Sequence, residues 1–222
     1  MLKVTMKDSE IQVGNILLLI FTFALIFLIP LFPESIQRTS NKILFSLIFF
    51  FSILALKGKI KKRMLVIALI AFITEWIAEI FNMKILYYIS TFINVIFFQI
   101  IVIRLIVQIA RSKNVNAGVI LESVNAYLLF GLMFTMLVTI LHLYDIEAFS
   151  FIEGETIDFQ HYIYYTFVTF STLGYGDIIP KEPIGRSLSI LISVSGQLYI
   201  AIIIAMLVGK FSASTSRKHS DS

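Results

Sequence analysis

Thr172-Leu173-Gly174-Tyr175-Gly176-Asp177 stands between two long apolar stretches. A short extended run of this composition can turn successive backbone carbonyls toward a single line, and such a ladder of oxygens can replace the water shell of a dehydrated cation. Gly174 and Gly176 supply the positive φ values this requires, since a residue without a Cβ adopts them at little steric cost. Thr172 adds a hydroxyl oxygen at one end. The six residues therefore predict an ion-coordinating strand, and the sequence around them says what holds it.

The surroundings are those of a membrane protein. Of 222 residues 58% are hydrophobic and 14% charged, with no cysteine, and the mean hydropathy is +0.91, far from the composition of a soluble domain. About 20 apolar residues cross a bilayer, and six stretches qualify: 16–32, 43–56, 64–81, 85–109, 117–143 and 184–208. The second is short and needs Lys42 and Lys57 as snorkelling ends, or an extension back toward Ser35. The expected fold is all-α, with six transmembrane helices, a re-entrant pore helix and the extended filter strand. It divides into a cytoplasmic N-terminus (1–15), a four-helix front half (16–113), a pore half (114–211) and a Ser-rich tail (212–222) that reads as disordered and leaves no room for a ligand-binding domain.

Basic residues fix the orientation. With both ends inside, twelve of the eighteen Lys and Arg fall on the inner side, including the cluster Lys57, Lys59, Lys61, Lys62 and Arg63; Arg38, Lys42, Lys84, Lys181 and Arg186 fall outside and Arg104 within a span. The first apolar run lacks a small-x-small cleavage site after it, so it reads as an uncleaved helix in place of a signal peptide. Asp145, Glu147, Glu153, Glu155 and Asp158 make the outer loop after the fifth span acidic. That charge either raises cation concentration at the mouth or simply solvates the loop.

Residues 159–171 are aromatic, too short to span, and end at the filter, as a re-entrant helix would. Non-helical backbone at membrane depth is tolerated only where protein buries it or water lines it. A helix entering from outside aims its negative carboxyl end at the pore centre. The alternative, an interfacial belt of Tyr162, Tyr164 and Tyr165, leaves the filter strand unexplained.

Tyr164-Tyr165-Thr166-Phe167-Val168-Thr169-Phe170-Ser171 followed by the filter resembles the pore loop of tetrameric potassium channels. Ala126-Tyr127-Leu128-Leu129-Phe130-Gly131 before it and Gly196-Gln197-Leu198-Tyr199 after it are similar to a bacterial branch of the two-helix-pore ion channels, within the voltage-gated-like superfamily. The resemblance covers about the last hundred residues. It implies a homotetramer in which four chains each donate Thr172, Leu173, Gly174, Tyr175 and Gly176, with K+ the permeant ion coordinated from residues 172–175 and no other cofactor. It further implies filter support from Ser171 and Asp177. Leu173 replaces the commoner valine, and Val168 replaces a glutamate that pairs with the filter aspartate in some members. The Tyr165 hydroxyl is then the first candidate partner of Asp177, and Tyr165→Phe is expected to destabilise the filter. Gly196 is a hinge in the family; close helix packing is the alternative. Ile200, Ile204, Leu207 and Val208 are inner-gate candidates that would close by dewetting.

Four spans before a pore resemble a voltage sensor, yet stepping by threes through Arg104 meets only Ile101, Val107 and Ala110. One charge crossing the field is worth about 2.3 kcal/mol per 100 mV, so four chains gain at most ~9 kcal/mol. Steep voltage gating is not expected. Glu75 and Glu79 share a face of the third span, and pairing with Arg104 and Lys84 is expected, with ion sensing or a proton-dependent switch as alternatives. His142, His161 and His219 are scattered, no thiol exists and no Gly-rich phosphate loop occurs, so neither an enzyme nor a nucleic-acid binder is expected. Partners are membrane lipids, which the basic cluster could also touch. The functional reading is a K+-selective channel in a bacterial cytoplasmic membrane; the rivals are a non-selective cation channel and a non-conducting subunit retaining the pore fold.

Overall fold

The computed structural model describes residues 6–57, 61–81, 83–112, 115–151 and 157–220, with the side chains of 6–10, 34, 38, 71, 72, 75, 76, 78–80, 84, 87, 91 and 213–220 outside that description. Seven α-helices follow one another: α1 (Met6–Phe23), α2 (Glu34–Ala55), α3 (Lys61–Ile80), α4 (Lys84–Arg111), α5 (Ala117–Tyr144), α6 (Phe159–Phe170) and α7 (Pro183–Ser220). Two short strands, β1 (Phe149–Ser150) and β2 (Ile179–Pro180), pair antiparallel, Phe149 opposite Pro180.

Among the described residues, five helices are long and apolar enough to cross a membrane: Ile11–Leu31, Ser35–Ala55, Tyr88–Arg111, Ala117–Tyr144 and Pro183–Ser212. The third apolar stretch of the sequence is helical as α3, but Lys61, Lys62 and Arg63 at one end and Glu75 and Glu79 at the other interrupt its apolar run, and it is not among the five. The second stretch takes the longer option, reaching back to Ser35. The first helix loosens near its end into a π-turn over Ala24–Leu28 and a 3-10 turn over Ile29–Leu31. Pro30 enters there, and its missing N–H and fixed φ end regular helix. The tail differs from its reading as disordered: α7 runs to Ser220, and no proline lies between Pro183 and the end of the chain to stop it.

α5 is the hub, packing against α1, α4, α6 and α7, and 72% of its apolar window is buried against 22% for α7. In the front half, Phe49 stacks on Phe97 at 4.3 Å and meets Phe98 edge-on at 4.8 Å, locking α2 to α4 with aromatic geometry worth more than area alone. Buried polar groups tie front half to pore half. Asn125 of α5 donates to the Asn15 carbonyl of α1 at 2.8 Å, and Lys57 beyond α2 reaches the buried Glu122 of α5 at 2.8 Å. Lys210 of α7 donates to the terminal carbonyls of α4 at Ile109 (2.8 Å) and Ala110 (2.7 Å), where a cation also meets the negative end of the helix dipole.

Candidate ion pathway

The pore helix α6 starts where its sequence provides a cap. The Asp158 carboxylate accepts from the backbone N–H of Gln160 (3.0 Å) and His161 (3.3 Å), while the Asp158 backbone N–H donates to the His161 ring Nδ1 at 3.3 Å, closing a reciprocal capping box. Asp158, one of the acids of the outer loop, is thus committed to starting the helix. Glu153 and Glu155 lie outside the described residues. Gln160 donates to Asn41 at 2.8 Å, and Phe159 meets Phe45 edge-on, so the outer end of α6 rests on α2. The carboxyl end of α6 is wedged by aromatic rings, with Phe170 fully buried between Tyr127, Phe130 and Phe134 of α5. Gly131 makes this approach possible: a Cβ there would lie 2.4 Å from the Phe167 ring.

From that end the chain turns into the filter. The N–H of Thr172 donates to Thr169 O at 3.0 Å, and those of Leu173 and Gly174 both reach Val168 O at 2.9 and 3.2 Å. The carboxyl end of α6 thereby takes up the amide donors of residues 172–174, while no carbonyl from 172 to 176 accepts a hydrogen bond from the described residues. Thr172, Gly174 and Gly176 have φ of 63°, 58° and 79°. A positive φ at every second residue replaces the alternating up-and-down carbonyls of a β-strand with peptide planes turned alike. Oxygens without protein donors at the carboxyl end of a helix have the charge that suits a cation.

The outer end is fastened separately. β2, directly after Asp177, pairs with β1, and Lys181 N–H donates to Ala148 O at 2.9 Å. The Asp177 carboxylate accepts from the Tyr164 hydroxyl and from its own neighbour, Ile178 N–H, at 3.0 Å. This corrects the expectation that Tyr165 is the partner. Successive helical residues point about 100° apart, so only one of the two tyrosines can face the filter. Tyr164 does so, and Tyr165, 4% exposed, turns inward onto Phe149 and hydrogen-bonds with Ser189 of α7. Ser171 donates weakly to Val168 O at 3.3 Å. Tyr164→Phe is accordingly expected to remove a bond worth ~1 kcal/mol per chain and to speed filter inactivation in recordings. Tyr165→Phe should lower thermal stability more than it alters inactivation; the reverse pattern would refute the exchange of roles.

Residues 124–213 match the model of a family described as ion channel. The matched segment takes in most of α5, all of α6 and the filter, and α7 through its apolar length. The A-type voltage-gated potassium channel KCND3 of Rattus norvegicus and that of Homo sapiens are each 45% identical to the chain over 49 residues, 22% of this chain and 8% of theirs. The chain thus spans less than a tenth of the curated relatives it matches. No solved structure matches it. The molecule is an integral membrane protein in which residues 124–213 are similar to an ion channel.

Within that segment α7 buries one stripe, Ile192, Gly196, Tyr199 and Ile203, at the i, i+4, i+7, i+11 spacing of a helix face. Gly196 sits at its tightest point, where a Cβ would lie 2.0 Å from the Phe170 carbonyl. Its hinge reading therefore has a packing reason beside it. Tyr199 donates to Ser123 O of α5 at 2.7 Å. The gate candidates separate: Ile200, Ile204 and Val208 are exposed at 38%, 55% and 59%, whereas Leu207 packs partly against the core. In the front half Arg104 is exposed on α4, and the side chains of Glu75, Glu79 and Lys84 lie outside the described residues, so their expected pairings do too.

Two participants escaped sequence reading. Glu122 is a lone acid in an apolar helix, and its match with Lys57, 65 positions away, is invisible without the fold. Gln197 follows Gly196 in an otherwise apolar run, which was the available signal; its amide donates to Thr172 Oγ1 at 2.9 Å.

Proposed function

We propose that the protein is a potassium-selective channel, a homotetramer in which four copies of the 172–176 strand surround one axis and conduct K+ passively. The observation that carries this reading is the filter strand, with positive φ at every second residue and the amide donors of residues 172–174 taken up by α6, which leaves a row of carbonyls to face an ion. One chain is not enough for this. Leu173 and Tyr175 are 55% and 68% exposed, and irregular backbone at membrane depth must be buried by protein or line water. Three further copies against the exposed face of α7 supply both. The similarity to the KCND3 relatives, which are voltage-gated potassium channels, supports the choice of K+.

Thr172, Leu173, Gly174 and Tyr175 would coordinate the ion, with Gly176, Asp177 and Ser171 holding the strand and Ile200, Ile204 and Val208 narrowing the inner pathway. The front half, with Arg104 as the one charge inside its fourth span, makes voltage dependence weak, and both termini lie on the cytoplasmic side of a bacterial membrane. Purified protein in liposomes should pass K+ down a gradient at least tenfold faster than Na+. Equal K+ and Na+ flux would indicate a non-selective pore, and no flux from tetrameric protein a non-conducting subunit; either result rejects the proposal.

A further inference from the structure

The hydroxyl of Thr172 makes two bonds. Its proton goes to the Ser171 carbonyl at 2.6 Å, and its oxygen accepts from Gln197 Nε2 of α7 at 2.9 Å. A threonine hydroxyl has one proton and two lone pairs. With the proton directed at Ser171, the amide of Gln197 has to be the donor, and one lone pair remains.

Thr172 is also the one described non-glycine residue with positive φ, a conformation that costs an ordinary side chain about 1–2 kcal/mol and persists only where the surroundings over-determine it. Gln197 is what α7 contributes to that restraint. Its own position is otherwise unfavourable, because an amide in an apolar membrane helix needs a partner. It is exposed in the single chain on the same side of α7 as Ile204 and Val208, at the i, i+7, i+11 spacing, which places it immediately below the filter on the inner approach.

We infer that Gln197 is a positioning residue for the innermost cation site, holding the Thr172 hydroxyl as an acceptor-only oxygen so that four such oxygens close the lower end of the filter. The inference rests on the potassium-channel reading above. Without the amide the hydroxyl is held by the Ser171 carbonyl alone, so its oxygen is fixed less firmly and the ring of acceptors loses its alignment on the cation.

The test is Ba2+ inhibition from the inner side, using an ion close to K+ in size whose double charge makes it sensitive to the innermost oxygens. Gln197→Met and Gln197→Leu both remove the donor in an apolar helix that accepts either residue. In liposomes each is expected to weaken Ba2+ inhibition about tenfold and to lower the K+/Na+ flux ratio several-fold. In a Thr172→Val background, which has no hydroxyl to orient, Gln197→Met is expected to change Ba2+ inhibition less than twofold, a coupling that a merely structural role would not produce. If either variant does not conduct, the Ba2+-dependent rise in the thermal unfolding midpoint of the detergent-solubilised tetramer reads the same site, and its loss supports the assignment. Ba2+ inhibition within twofold of wild type in both variants, or undiminished Ba2+ stabilisation where flux is lost, overturns it. Absence of K+ flux from the unsubstituted protein would instead reject the channel reading itself.

Discussion

Gly196→Ala is expected to abolish K+ flux and to prevent recovery of a stable tetramer. The new Cβ would sit 2.0 Å from the carbonyl oxygen of Phe170 and 2.9 Å from its ring. The ring could shift, but the carbonyl belongs to the last turn of the pore helix, and Phe170 is fully buried among α5 aromatics. Relief therefore has to come from moving α6 or α7 as a body, and overpacking of this kind costs typically 1–3 kcal/mol or more per chain. Because the filter hangs from the same end of α6 through the bonds to Val168 and Thr169, the displacement is transmitted to residues 172–174. Thermal unfolding and size-exclusion profiles should both deteriorate. Normal assembly with normal flux would show that α6 and α7 do not meet this closely.

The second large effect arises without any clash. Gly174→Ala places a methyl group where nothing lies within 4 Å, at a φ of 58°. The penalty is then conformational, about 1–2 kcal/mol per chain, and in the proposed tetramer four chains would concentrate ~4–8 kcal/mol on one oxygen ladder. Flux is expected to fall at least a hundredfold, since each 1.4 kcal/mol is a factor of ten, while circular dichroism and tetramer yield stay close to wild type. Thr172 tolerates a similar φ because Ser171 and Gln197 hold its hydroxyl; an alanine at 174 has no such bonds. Flux within threefold of wild type would mean that the conducting strand does not use this conformation. The pair of glycines thus separates two failure modes, one read in assembly and the other in conduction alone.

The relation between Lys57 and Glu122 bears on how the two halves communicate. Glu122 is buried at 3% exposure on α5, and Lys57 stands at the end of α2 with its backbone N–H on Gln108 of α4. The junction of front half and pore is thus built from side chains of three helices. Lys210, below the apolar length of α7, holds the end of α4.

Much of this architecture was legible in the sequence because its signals are local. Apolar length against bilayer thickness located the helices, and an aromatic segment too short to span, ending at Ser171, located α6 to within a residue of its observed end at Phe170. Glycines at 174 and 176 announced positive φ, and the strand adopts it. The third stretch was harder, since its apolar run ends in charges on both sides. The role of Asp158 was misread because an N-cap and an acidic surface use the same residue type.

The sequence by itself determined a membrane-embedded helical chain with one glycine-bearing strand of the composition an ion site needs, since hydropathy, chain length and glycine placement act on a residue and its near neighbours. Tertiary structure alone decided which tyrosine holds Asp177, that Gly196 is a contact with Phe170, that Glu122 meets Lys57, and that Gln197 reaches Thr172. Each of these depends on the rotation and approach of a helix relative to another distant in the chain. That relation is set by the packing of all the side chains between them, and no single stretch of sequence contains it.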